Sequence, residues 1–541
     1  MKNFDRLLLA AILIITCAVY APLWSAPALT WDDGSNIFNN PYYTMHLWWA
    51  LWENAYFGLY VPVTSTLWAG LFWLGGGETW PFRAMNLLLH LANTLLLFSL
   101  LKGLAKHWRL QEKVSVALAV GIFALHPLQV QAVAWISGGR DLLATFFALF
   151  AAAVYFRWPN KKGYAGATLL FAAALLSKPN TVVIPLAIAL IDYFLLSRPL
   201  KSIAKRMAVW FILDALVIYI TEITQFEYFV NQVEYPKRLL LLPAYARFYV
   251  QKLVWPHRLA GNYGLTPESM LAHPVNIILA LSFVALFGAA AWLAYKLDKR
   301  WFIAGLALVL MLPTSGLVAF GFENISGVAD HYMYLPMTAV AAALLLLFTR
   351  LQKSKVLFAL PLLVIGAWAA ASFSRVHVWK SEEAFFTDMA KSAPESYSTA
   401  IGMSVVMCED KKDYNEGLKW IDVALKAKPD DILALANRAF CLLHADRNQE
   451  VLDMDAILEK LDYQELKATQ PTPYSSLIAS VGTAKIRAGE YQMGFQYLCE
   501  AYRILPSDPN HRHNLEAAAE LLKQKGFDPI CANDDSDDMP E

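Results

Sequence analysis

Charge is what this sequence has least of. Only 17% of its 541 residues are Asp, Glu, Lys or Arg and 57% are hydrophobic, which excludes an ordinary soluble enzyme as the whole molecule. The charges cancel to a formal net of zero, and no basic patch is interleaved with aromatics, so nucleic acid is not an expected partner. Cysteine is scarce at five, and nothing resembles a structural zinc site. A phosphate-cradling P-loop and a Gly-x-Ser-x-Gly elbow are both missing. No ligand constellation points to a metal, and the sequence predicts no cofactor.

What is present changes character near residue 374. Up to there, long apolar runs alternate with short basic loops; beyond it the chain is charged, soluble and helical. Eleven runs, at 7–26, 82–101, 114–136, 141–158, 163–177, 180–197, 207–224, 274–296, 301–320, 332–349 and 355–374, predict an all-α polytopic membrane bundle over 1–374. Several fall short of the roughly 20 residues that cross a bilayer; tilt or burial inside the bundle accommodates them. The first run follows Lys2 and Arg6 and ends in Ser25 and Ala26, as a signal peptide does. Its length and the lack of a clear cleavage site favour an uncleaved span. With the N-terminus in the cytoplasm, the inward loops 102–113, 157–162, 198–206, 296–300 and 350–355 each carry at least three Lys or Arg. Loops 30–81 and 225–273, residues 323–331 and the whole C-terminal part then face outward. That side is the periplasm for a bacterial inner-membrane protein, or the ER lumen in a eukaryote.

Outward positions hold the ionisable residues. Asp32 and Asp33 follow the first run, and such a carboxylate pair is a candidate general base; a solvated loop or a helix N-cap uses the same residues. Trp48, Trp49, Trp52, Tyr56 and Tyr60 in the next loop suit helices in the headgroup zone, or packing against the bundle. Arg140 and Asp141 sit in a Gly-Gly-Arg-Asp turn, and Lys178 interrupts a run before Pro179. His126 shares its run with Gln129 and Gln131, and His331 follows Asp330. Ionisable groups at such depths are costly and are functional candidates. Outward Arg and Lys oppose the charge bias. Holding a phosphate or pyrophosphate explains them, as does pairing within the bundle, for instance Arg140 with Asp141.

Beyond 375, residues 413–429 and 489–506 share the second-helix rhythm of a tetratricopeptide repeat. Gly417, Ala424, Gly494 and Ala501 let helices approach, and Pro429 and Pro506 end the repeats. A weaker match spans 432–468, giving about three repeats and a final helix near 509–525. Such a solenoid binds peptides on its concave face, or serves only stability and assembly. The acidic tail at 534–538 is expected to be disordered. Cys408 and Cys441 lie about one repeat apart, where an oxidising compartment permits a disulfide. Any pairing among these two, Cys499 and Cys531 stays open on spacing alone.

The run from His126 to Leu143, with its Gly138-Gly139-Arg140-Asp141 turn, resembles a hallmark of the transmembrane-and-tetratricopeptide-repeat (TMTC-like) O-mannosyltransferases and their bacterial relatives. Trp31-Asp32-Asp33, Leu176-Ser177-Lys178-Pro179, the stretch Ala329-Asp330-His331-Tyr332 continuing to Pro336, and residues 375–386 with Arg375 and Trp379 keep the family's order over nearly the whole chain. The resemblance implies a glycosyltransferase of the GT-C fold, followed by the repeat domain over 375–541. Such enzymes move a sugar, with inversion, from a polyprenyl-phosphate lipid to an acceptor on the far side of the membrane. A protein hydroxyl is the acceptor implied here, selected with help from the repeats. By that likeness Asp32 or Asp33 is the base. Arg140, Lys178, His331 and Tyr332 hold the donor phosphate, with Asp330, His126 and Arg375 as further site candidates.

Two departures stand out. Gln131 occupies a place where Glu is expected, and His331 one where Arg is expected. The second weakens that corner as a permanent phosphate clamp, since histidine is only partly charged near neutral pH. Two other readings remain open, a transferase or ligase moving a whole lipid-linked glycan and a non-catalytic scaffold that gathers partners through its repeats.

Overall fold

The computed structural model describes residues 2–110, 114–225, 233–272, 274–351, 355–458 and 463–531. The acidic tail at 534–538 lies outside them. The described residues contain helices and loops but no strand, with one isolated bridge between Tyr56 and Leu59. The chain divides into two units, Met1–Ser392 and Ala393–Glu541.

That division falls later than the change of composition near 374. The reason is local packing. Trp379, Phe385 and Phe386 are buried, Phe385 lies 5.2 Å from the ring of Trp31, and the Glu382 carboxylate accepts the N–H of Thr30 at 2.6 Å. A soluble-looking stretch is thereby built into the first unit.

Among the described residues of that unit six helices are long and apolar enough to cross a membrane: Asp5–Leu23, Trp80–His107, Ile136–Arg157, Leu200–Gln225, Pro274–Leu297 and Ala359–Lys380. A seventh candidate is broken, with Ser115–Leu125 and Pro127–Ala134 bent by 49°. The other four of the eleven expected runs are shorter helices, Lys161–Leu175, Ile184–Phe194, Phe302–Met311 and Pro336–Leu351. By length and composition alone, then, six or seven are able to cross, and eleven crossings are not established.

The broken helix is the centre of the unit. Every residue of Ser115–Leu125 is buried, as expected of a helix that is apolar all round. It packs among Lys2–Tyr20, Trp80–His107, Pro336–Leu351 and Lys355–Val376. Pro127 lacks an N–H and stops the helix. His126 caps the restart: its Nδ1 accepts the N–H of Leu128 at 3.1 Å, so the proton sits on Nε2, which donates to the carbonyl of Leu253 at 3.0 Å. Pro274–Leu297 is the opposite case, with Ala280 as its one buried residue.

The described part of the second unit is also helical. Pro471–Ala488 crosses Tyr491–Ile504 at two glycines. A Cβ on Gly494 would stand 2.6 Å from the carbonyl oxygen of Gly482, and one on Gly482 would stand 2.9 Å from that of Gly494. Gly417, on Tyr414–Ala427, makes room for Cys408: its Cβ would meet that sulfur at 2.2 Å. Cys408 is bonded to Cys441 and Cys499 to Cys531, which leaves Cys17 as the free thiol.

Those two bonds give a direct expectation. Alkylating the denatured, unreduced chain should label the single thiol of Cys17, and prior reduction should expose all five cysteines. Intact mass distinguishes the two. More than one label before reduction would mean that the C-terminal cysteines are not paired.

Candidate active site

The site begins with a turn that has to be held open. Between the helices Val130–Ala134 and Gly139–Arg157 the backbone becomes extended at Trp135 and passes through a 3-10 turn at Ile136–Gly138, so carbonyls there are open to side-chain donors. The helix Trp80–His107 supplies them. The carboxamide nitrogen of Asn86 donates to the carbonyls of Val133, Trp135 and Ile136 at 3.4, 2.9 and 3.3 Å. One turn earlier, Arg83 donates to the carbonyl of Ala134 and to that of Pro27. The glycines of the turn are small because its partners are close. A Cβ on Gly138 would come 2.4 Å from the carbonyl oxygen of Ala132, and one on Gly139 would come 2.6 Å from Oδ1 of Asn86.

The two adjacent aspartates do different things. Asp33 is wholly buried, and its Oδ1 accepts both the N–H and the hydroxyl of Ser137, at 2.9 and 2.7 Å. It fastens the first loop to the turn. Asp32 keeps 34% of its side chain exposed and lies 3.3 Å from Nη2 of Arg140. Desolvation holds the Asp32 carboxyl above the usual carboxylate range and outweighs the attraction of Arg140, which pulls the other way.

Both cations have carboxylate partners. Arg140 also donates from Nε to the carbonyl of Ser137 at 3.2 Å, and its guanidinium lies 5.6 Å from the ring of Trp68 and 5.7 Å from that of Trp135. Lys178 reaches both oxygens of Asp141, at 2.7 and 2.8 Å, and sits 5.7 Å from the ring of Tyr332. Burial pulls the Lys178 ammonium below its ordinary pKa, against the opposing pull of Asp141. The loop carrying Lys178 is positioned by the helix Pro62–Gly75, whose Thr64 donates to the carbonyl of Ser177 at 2.9 Å.

Gln131 and His331 touch each other. Oε1 of Gln131 accepts the N–H of His331 at 2.9 Å, and Nε2 of Gln131 donates to the carbonyl of Gly261 at 2.9 Å. A glutamate would have no N–H to give Gly261. Burial, assisted by the positive Lys178 and Arg140, holds the His331 imidazole well below its usual pKa and therefore neutral. Its ring lies 5.3 Å from Trp135 and 4.3 Å from Tyr332.

The structure thus gathers Asp32, Asp33, Arg140, Lys178, His331 and Tyr332 into one connected cluster. Asp330 turns to a neighbouring one, where it accepts the hydroxyl of Tyr263 at 2.6 Å. Burial raises its carboxyl to about 6, against Arg375 and Lys252. Arg375 itself pairs with Asp388. His126 is not gathered in, because both its ring nitrogens are spent on backbone. Among the described residues no group of three or more His, Cys, Asp or Glu is placed to hold a metal ion.

Some of these residues escaped sequence reasoning. Arg83, Asn86, His90 and Asn93 are all buried at spacings of three and four, a polar stripe on a helix read only as apolar. His90 and Asn93 meet the hydroxyl of Tyr334 at 2.8 and 3.2 Å, and Asn93 also donates to the carbonyl of Leu142. Trp68 carried no more signal than other aromatics, and Trp31 and Trp135 lay in stretches singled out for the charges beside them.

No family model matches the chain, and no solved structure matches it. The chain is similar to a protein O-mannosyl-transferase of Caenorhabditis elegans, 25% identical over 375 residues that cover 66% of this chain and 50% of that protein. It is 35% identical over 128 residues to the protein O-mannosyl-transferase Tmtc2 of Drosophila melanogaster, covering 22% of this chain and 13% of the relative. For the protein O-mannosyl-transferase TMTC2 of Homo sapiens the figures are 30% over 133 residues, 23% and 15%. The matches span half or less of these relatives' lengths.

The pairing of Lys178 with Asp141 is open to test by a double-mutant cycle. Asp141→Asn strands a buried ammonium and should cost roughly 3–5 kcal/mol, most of it recovered when Lys178→Met is added. Thermal unfolding of the purified chain checks this. A double variant no better than Asp141→Asn would show that the two groups are not coupled.

Proposed function

We propose that this protein is an inverting membrane glycosyltransferase that moves a sugar from a polyprenyl-phosphate carrier to a protein hydroxyl. The observation that carries the reading is Asp32, a part-exposed carboxylate beside one buried cation, Arg140, and in the same cluster as a second, Lys178. The similarity to protein O-mannosyl-transferases supports it.

In the reaction, the acceptor hydroxyl approaches the anomeric carbon opposite the phosphate. Asp32 takes the hydroxyl proton; a carboxyl held above its usual range is a stronger base. The new C–O bond forms as the bond to phosphate breaks, and the phosphate leaves with the electron pair. Lys178 has three N–H donors, two of them on Asp141, and Arg140 has five, two of them on Ser137 and Asp32. The remaining donors suit a phosphate whose negative charge grows as it departs. Asp33 has no place in these steps, being spent on Ser137.

Three observations support an outward-facing site. Basic residues cluster in the inward loops. The loops carrying Asp32, Arg140, Lys178 and His331 follow the first, third, fifth and ninth apolar runs and converge on one cluster, as they must if all eleven runs cross. Two disulfides in the second unit suit an oxidising compartment. The repeats on that same side would select the acceptor protein.

Intact-protein mass spectrometry of cells with and without the gene tests the reading. A sugar-sized mass should vanish from outward-facing proteins in its absence. The unmodified gene should restore it and Asp32→Asn should not, because loss of a general base costs about 10²–10⁴-fold. The mass increment sizes the donor. Masses unchanged throughout would leave a scaffold that gathers partners.

The acid limb gives an independent check. Transfer requires ionised Asp32, so the rate should rise with pH through a value above the ordinary carboxylate range. Arg140→Gln removes a charge that lowers that value, so the limb should move to higher pH as the rate falls. A limb that stayed in place would place the titrating base elsewhere.

A further inference from the structure

We propose that Trp135 and His331 form the corner that reads a hydroxyl of the donor sugar. The inference rests on the reading of the protein as a sugar transferase and names the part of the site that contacts the transferred group.

Both residues are 4% exposed. The indole N–H of Trp135 and Nδ1 of His331 are enclosed, and neither has a hydrogen-bond partner in the protein. Buried polar atoms are rarely left so, and each such case asks for a reason. Two of them on touching rings, in the middle of a charged cluster, point to a common one. An indole nitrogen only donates, while a neutral imidazole with its proton on Nε2 accepts at Nδ1. A hydroxyl both accepts and donates, so one sugar O–H matches the pair.

The surroundings fit a sugar better than a phosphate. Trp135 and His331 stand 5.3 Å apart, Trp31 lies 5.3 Å from Trp135, and Phe322 lies 6.1 Å from Trp31 and 6.5 Å from His331. Aromatic walls with a few placed polar groups are the usual lining of a small-molecule site. Arg140 lies over Trp135 on one side, and Lys178 lies over Tyr332, the neighbour of His331, on the other. The corner itself carries no formal charge, since Gln131 and His331 occupy positions where the family likeness leads one to expect Glu and Arg. Gln131 also fixes the backbone of His331. Phosphate would bind at the two cations, and the sugar would lie against the uncharged corner they flank. His331 therefore leaves the set of phosphate-holding residues and joins the sugar-reading ones.

The test is binding to the purified full chain in detergent, comparing polyprenyl phosphate with polyprenyl-phosphate mannose. The unmodified chain should bind the mannosyl lipid about tenfold tighter, the margin of one well-made hydrogen-bonded contact. Trp135→Phe keeps the ring and removes the N–H; His331→Phe removes the acceptor. Each should bring the two affinities to within about threefold, with that for bare polyprenyl phosphate unchanged, which also shows that the variant is folded. Variants that keep the full margin would overturn the corner and leave the transferase reading standing. No margin in the unmodified chain would overturn the corner as a reader of mannose, while the transferase reading stands or falls on the mass comparison above.

Discussion

Backbone carbonyls at a break between helices inside an apolar bundle need donors, and the turn from Val133 to Gly139 receives two side chains in addition to its own backbone N–H groups. Asn86 and Arg83 project from one face of a single long helix and between them meet the carbonyls of residues 133 to 136. With the turn fixed, Asp33 can dock on Ser137, and Arg140 begins the next helix at a defined angle. The same stripe continues through His90 and Asn93 to the hydroxyl of Tyr334, four residues beyond Asp330. One helix therefore sets the register between the turn and the 330–334 segment. Without it the charged residues would have no common frame.

Charge obeys the same accounting. A buried ion is tolerable only when matched, and here each of the two cations has a carboxylate from a different segment. Arg140 takes Asp32 and Lys178 takes Asp141. In the neighbouring loops Arg238 does likewise with Glu323, itself buried. Of these pairs, the one with substantial exposure on either partner contains Asp32. The more accessible carboxylate of the cluster's two ion pairs is thus the one next to a cation that still has donors to give.

Much of this was legible in the sequence. The eleven apolar runs are long enough and apolar enough to form helices, which satisfy every backbone group within one segment, and Pro127 marks the break of the central one. The charged motifs were legible too, since an ion in an apolar setting stands out. The pairing was not. Arg140 with Asp141 looks natural on paper, yet neighbours on a helix point about 100° apart, so each takes a partner from another segment. His126 looked like a site residue from its motif. It proves to be the cap of a broken helix, and only the carbonyl of Leu253, distant in sequence, reveals that. The polar stripe from Arg83 to Asn93 was readable by its spacing, but its residues are diluted among leucines.

The departures at 131 and 331 carry the last step. Taken one at a time, Gln131 removes an expected anion and His331 an expected cation. Each change alone would unbalance a buried cluster. Together they leave its net charge as it was, and the Gln131 carboxamide does what neither ionised side chain could do alone, accepting from the backbone of His331 while donating to that of Gly261. Set against the expected Glu and Arg, Gln131 and His331 together make a neutral, hydrogen-bonded brace. Such a brace holds position without attracting charge. It leaves Arg140 and Lys178 as the cluster's attractions for an anion, with the uncharged rings of Trp135 and His331 beside them.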